Sequence, residues 1–170
     1  VEILSTCVKD FSSDWNKDYY EPGIDQYHGI TVRRFKVRKR DTKAFDNING
    51  MLIRGEVLNR GQELIFMQEM VNSPELYEFI RIHKNEYHCY VYIPYMFGTT
   101  YYGILACPEK AVMIPCFHEE SYLHMKIFKE CFEQVRGMIF NALPECKLAN
   151  MVYDLKNVNQ ITPGLGMDTN

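Results

Sequence analysis

The stretch HCYVYIPY, residues 88–95, decides the fold. It is nearly continuous in apolar and aromatic side chains, as in a strand covered on both faces of a sheet. Two similar runs follow, KAVMIPCF at 110–117 and GMIFNA at 137–142. The segments around them have helical signals. Ser73-Pro74-Glu75 combines an N-cap, proline at the first helical position and an acid in the first turn. Leu76, Phe79, Ile80 and His83 then recur at helical spacing. Further helices are expected over TTYYGILAC (99–107), from Glu119–Glu120 to about residue 132, and from Leu143 to about residue 154, with a last strand in NQITPGL (159–165). Strands alternating with covering helices imply a parallel sheet with right-handed crossovers.

Upstream, VEILST (1–6) reads as a short buried strand and ITVRRFKV (30–37) as a second strand. Residues 7–29 between them are polar and aromatic, with turn signals at Pro22-Gly23 and His28-Gly29, and read as one long loop. Asp41-Thr42 can cap a helix over 42–54, and another helix is expected over 61–71. The fold class is therefore α/β: a Rossmann-like three-layer domain with a mostly parallel sheet.

The chain has 170 residues, 46% hydrophobic and 24% charged, with a net charge of −3. That supports one domain with a substantial core and argues against disorder. Mild acidity argues against a nucleic-acid binder. No apolar run approaches about 18 residues, so no transmembrane helix is expected. Both ends look like cuts through something larger. Six cysteines at irregular spacing, several inside apolar runs, read as reduced buried thiols of a cytoplasmic protein. No Walker loop, GxGxxG, GxSxG, HExxH or DxD occurs, and the histidines share no metal-ligand spacing, so no metal is assigned.

In open parallel sheets, ligands bind beyond the carboxyl ends of the strands. That rule selects Tyr95–Tyr102, His118–Ser121 and Asn141–Glu145. His118 is the leading candidate, expected between a buried strand and a helix N-terminus, where imidazole can bond a sugar hydroxyl or a phosphate oxygen. Its rival role is that of an ordinary loop histidine. Glu119 and Glu120 offer acid or base chemistry, but a first helical turn favours acids for its dipole alone. Tyr95, Thr99, Thr100 and Tyr101 could line a carbohydrate site, or be a cap and core aromatics. Trp15 and Tyr19 could contact an acceptor or anchor their loop. The basic run that includes Arg38, Lys39 and Arg40 is a solvated edge or a contact with anionic lipid headgroups.

Several segments together resemble the N-terminal domain of GT-B-fold glycosyltransferases of the group 1, or family 4, type. They are VEILSTCVKDFSSDWNKDYYEPG, HGITVRRFKV, SPELYEFIRIHKNEYHCYVYIPYMFGTTYYG, PEKAVMIPCFHEESYLHMKIFKECF, GMIFNALPE and ITPGLGMD. The likeness covers most of the chain and is weakest at 42–72. It implies that residues 1–170 are the acceptor-side domain of a retaining enzyme. Such an enzyme moves a sugar from a nucleotide-sugar to a glycan or lipid-linked acceptor, without a bound metal. The nucleotide-sugar is a substrate held mostly by a C-terminal domain that this sequence lacks, so the fragment alone is expected to be inactive. His118 occupies the place of the family histidine that reaches toward the donor sugar. The resemblance also implies a cytoplasmic location, peripheral to the inner face of the membrane.

The sequence departs from the family at its start, where a strand, a glycine-rich loop and a helix are missing before VEILST. In a 3-2-1-4-5 strand order the missing strand is central. Its loss leaves unpaired edges on VEILST and HCYVYIPY. Direct pairing of those two strands, or homo-oligomerisation through them, is expected. The alternative to an enzyme is a non-catalytic α/β module that binds a carbohydrate or a partner in the same crevice.

Overall fold

The computed structural model describes residues 1–164. The end of NQITPGL and most of GLGMD fall on residues 165–170, outside the described residues. The structure is α/β, with two sheets rather than one. The first contains β1 (Glu2–Thr6), β2 (Gly23–Tyr27) and β3 (Ile30–Phe35), in the order β1-β3-β2. β1 runs parallel to β3, and β2 antiparallel to it. The second contains β4 (Tyr90–Tyr92), β5 (Ala111–Met113), β6 (Gly137–Ile139) and β7 (Asn159–Ile161), all parallel, in chain order. β1 and β4 do not pair with each other, which corrects the expectation of direct pairing.

Strand β2 is the element that the loop reading missed. It closes a hairpin onto β3 through His28 and Gly29, both with positive φ (49° and 78°). Positive φ at both positions is the type I′ hairpin turn, of which Asn-Gly is the usual signature. His-Gly adopts the same geometry with a weaker sequence signal. The rest of the segment is pinned rather than free. The Cys7 carbonyl accepts from the Tyr19 and Tyr20 amides at 2.7 and 2.9 Å. Trp15 is buried against Phe45 and Phe97.

Helices α1 (Thr42–Ile53), α2 (Arg60–Glu69), α3 (Pro74–His83), α4 (Gly98–Ala106), α5 (Ile127–Phe132) and α6 (Leu143–Val152) cover the sheets. The starts of α1 and α3 follow the chemistry read from the sequence, and α2 adds a capping box that was not read. Asp41 accepts from the Ala44 amide, Asn59 and Gln62 form a reciprocal capping box, and Ser73 precedes Pro74. The main core gathers α1, α2, α4 and α5 with the second sheet around Phe66, Met67, Ile104, Met113, Phe128 and Phe132. A smaller core of Phe35, Leu76, Tyr77, Ile80, Tyr90 and Cys107 joins β3, α3 and β4. Gly98 allows α4 to meet the end of α2: a Cβ there would lie 2.8 Å from the Val71 carbonyl and 2.7 Å from Asn72 Nδ2.

The expected helix after His118 is shorter and later than its sequence suggests. A 3-10 turn occupies Ser121–His124, and α5 starts only at Ile127. Strand β4 is not covered on both faces either, since Val91 is exposed.

Candidate functional site

The carboxyl ends of β4, β5 and β6 deliver Tyr95, His118 and Asn141 to one edge of the second sheet. The connections are firm. The Ile114 amide donates to the Tyr92 carbonyl and the Tyr95 amide to the Pro115 carbonyl, at 2.9 and 3.1 Å. Cys116 then turns the chain with φ of 58°. The buried Glu145 carboxylate holds that turn, accepting from the Phe117 amide at 2.9 Å and the Asn141 amide at 2.7 Å. One side chain of α6 thus ties the end of β5 to the end of β6. The residue that follows Phe117 is His118.

His118 is exposed and forms no hydrogen bond among the described residues. Its neighbours are engaged. Glu119 Oε1 lies 2.7 Å from His124 Nε2. Glu120 Oε1 accepts from the Tyr95 hydroxyl at 2.8 Å. Burial, with the nearby Glu120 carboxylate, pushes the Tyr95 hydroxyl far above its ordinary range, so Tyr95 stays protonated and donates. The Tyr95 ring itself is buried against Phe117 and Phe128. Tyr95 is therefore a structural donor to Glu120, not an exposed sugar platform.

The helix start expected to favour an anion beside His118 is displaced and already satisfied. The buried carboxylate of Glu63 accepts from the Lys126 and Ile127 amides at 2.7 and 2.9 Å, capping α5 from within the protein. Glu63 was not singled out in the sequence, because its amide partners lie 63 and 64 positions away, and Glu145 fell within the selected segment Asn141–Glu145 but its Phe117 partner lies 28 positions away. Only the acid in a first helical turn was legible for Glu145.

The remaining candidates separate. Thr100 is buried and donates to the Pro94 carbonyl at 2.8 Å. Tyr101 is buried in the main core. Thr99 is half-buried and borders a cleft between β1 and β4. Trp15 donates from Nε1 to the Phe11 carbonyl and lies under the Arg40 guanidinium, 4.7 Å from its ring centroid. Arg40 also donates to the Glu69 carbonyl at 2.9 Å. Arg38 pairs with Glu69 Oε2 at 3.0 Å and donates to the Gln68 carbonyl. Lys39 donates to the Asn16 carbonyl. These three cations staple the first loop and the end of β3 to α2, rather than forming a free basic face. Tyr19 is exposed, with its edge on Tyr20.

All six cysteines are free thiols. Among the described residues no group of His, Cys, Asp and Glu could hold a metal ion, and no helix is long and apolar enough to cross a membrane. An open feature here is an imidazole that can donate to or accept from a polar ligand, on a turn held by Glu145. Comparison with known protein families, with curated proteins and with solved structures finds no match.

Proposed function

We propose that the chain is the acceptor-side domain of a retaining glycosyltransferase, transferring a sugar from a nucleotide-sugar to a glycan or glycolipid acceptor. One observation carries the reading. Among the described residues, His118 presents an imidazole with no internal partner, beyond the carboxyl end of a parallel strand. Open α/β sheets bind ligands at that end. Imidazole suits a sugar hydroxyl because it can donate from one nitrogen and accept at the other. The sequence resemblance supplies the reaction class. In this reading His118 orients the donor sugar, and Glu145 holds the turn that carries it. The surface around His118 is one wall of a site. A nucleotide-sugar-binding domain supplies the opposite wall and excludes water during transfer. A lipid-linked acceptor would bring the protein to the inner face of the membrane.

The test is His118→Ala and His118→Gln in a polypeptide that carries this chain together with its nucleotide-sugar domain. Losing a hydrogen bond to the donor sugar should lower kcat/KM roughly tenfold or more, with the circular dichroism spectrum unchanged. Unchanged transfer rejects the role of His118.

A second reading, a non-catalytic carbohydrate-binding module, is favoured by the engagement of Glu119 with His124 and of Glu120 with Tyr95. Glycan binding without transfer from any nucleotide-sugar, in the longest native polypeptide, would select it.

A further inference from the structure

One cleft lies away from His118. Its volume is about 610 Å³, and it runs between β1 and β4, floored by Leu4, Leu76 and Ile80. Both bordering strands are terminal in their sheets, so each presents an unpaired row of amides and carbonyls to the cleft. Unpaired backbone groups beside an apolar floor are costly, and polypeptide backbone satisfies them best.

The two edges point in the same direction. Beside their amino ends, the Tyr87 hydroxyl donates to Glu2. Beyond their carboxyl ends, Phe11 packs edge-on against Phe97 with ring centroids 5.8 Å apart. The gap is thus bracketed at both ends. The cleft thus separates the edge strand β1 of the first sheet from the edge strand β4 of the second. The walls are apolar as well. Ile3, Val91 and Ile93 are 41%, 53% and 59% exposed, unusual for strands of a helix-covered sheet.

We infer that this cleft is the docking site for one extended polypeptide strand from outside these 170 residues, inserted parallel to β1 and β4 and apolar on both faces. Alternate side chains of that strand meet Leu76 and Ile80 on one face, and Ile3 and Val91 on the other. Its backbone pairs with both edges, merging the two sheets into one of eight strands. The glycosyltransferase reading is not needed for this inference, and either can fail alone.

The test uses the 170-residue chain and a fluorescein-labelled peptide, Lys-Val-Ile-Val-Ile-Ser-Lys, in anisotropy titrations. A second peptide of the same sequence carries N-methyl groups on alternate amides. The expected result is saturable binding of the first peptide, weakened about tenfold or more by N-methylation and by Val91→Pro or Ile3→Lys. Both substituted side chains are exposed, so circular dichroism should report retained folding. Hydrogen exchange should slow at residues 2–6 and 90–93 when the peptide is bound. Failure to saturate, or equal binding of the N-methylated peptide, overturns the inference. So does concentration-dependent dimerisation of the chain alone with protection of the same amides, which would give the site to a second copy.

Discussion

The Glu145 carboxylate bridges the amides of Phe117 and Asn141, at 2.9 and 2.7 Å, and so joins the ends of two parallel strands. His118 owes its position to this bridge. Glu145→Ala leaves two amides without their acceptor at a buried site. The expected loss of stability is about 1–3 kcal/mol, read from urea unfolding, because unsatisfied buried donors cost that much. Glu145→Gln should recover part of it, since the amide oxygen still accepts. A variant as stable as the parent would contradict the assigned role.

Gly98 is a packing requirement. A methyl group there meets the Val71 and Met67 carbonyls at 2.8 and 3.0 Å, and backbone cannot step aside cheaply. Gly98→Ala should therefore destabilise by about 1–3 kcal/mol despite alanine's better helix propensity. A gain in melting temperature would show that α4 and α2 are further apart.

Arg38 and Arg40 act inward. Arg38→Ala removes the cation paired with the largely buried Glu69 carboxylate, which keeps only the Asp41 amide, and Arg40→Ala removes the cation over Trp15. Each should lower stability by about 1–3 kcal/mol. Binding to vesicles containing phosphatidylserine should be unaffected by either change while the protein stays folded. Loss of vesicle binding with unchanged stability would restore the reading of this segment as a lipid contact.

Alkaline conditions should weaken the junction between β1 and β4. Burial, then the hydrogen bond to Glu2, pushes the Tyr87 hydroxyl up to about 12. Its value in the unfolded chain is about 10. The folded state therefore holds the proton more tightly. The contribution is fully present below about pH 10 and is lost as pH rises toward 12. Tyr87→Phe should flatten the fall in stability over that window, relative to the parent chain. An identical alkaline profile would show that the hydroxyl does not titrate with folding. Tyr90 and Tyr101 rise in the same range, so only the difference between the two proteins reports on Tyr87.

Much of the second sheet and most helices were legible because their signals are local. Ser73-Pro74-Glu75 and Asp41 mark helix starts by their own chemistry, and the runs around Tyr90, Val112 and Met138 are the strands β4, β5 and β6. The run 88–95 also overstated its burial, because hydrophobicity shows what a strand needs covered and not whether a cover is present. Strand β2 was not legible because His28-Gly29 lacks the usual Asn-Gly signature and all five β2 residues are exposed. At the site, His118 was legible from its place after an apolar strand. Tyr95, Thr100 and Tyr101 looked equally available, yet their hydrogen-bond or packing partners come from distant segments or neighbouring turns. Glu63 was illegible for the same reason, and so was the bond from Glu145 to the Phe117 amide. A carboxylate that serves amides far along the chain has the sequence signature of an ordinary surface acid.

Sugar binding at His118 is tested most directly by a nuclear magnetic resonance titration. The isotope-labelled chain would be titrated with a panel of oligosaccharides and, separately, with nucleotide-sugars. Saturable shifts of the His118 imidazole resonances and of the amides around Phe117 and Asn141 are expected with at least one sugar ligand, and the amide shifts should be abolished by His118→Ala. Shifts confined to other parts of the molecule, or persisting unchanged in His118→Ala, would contradict it.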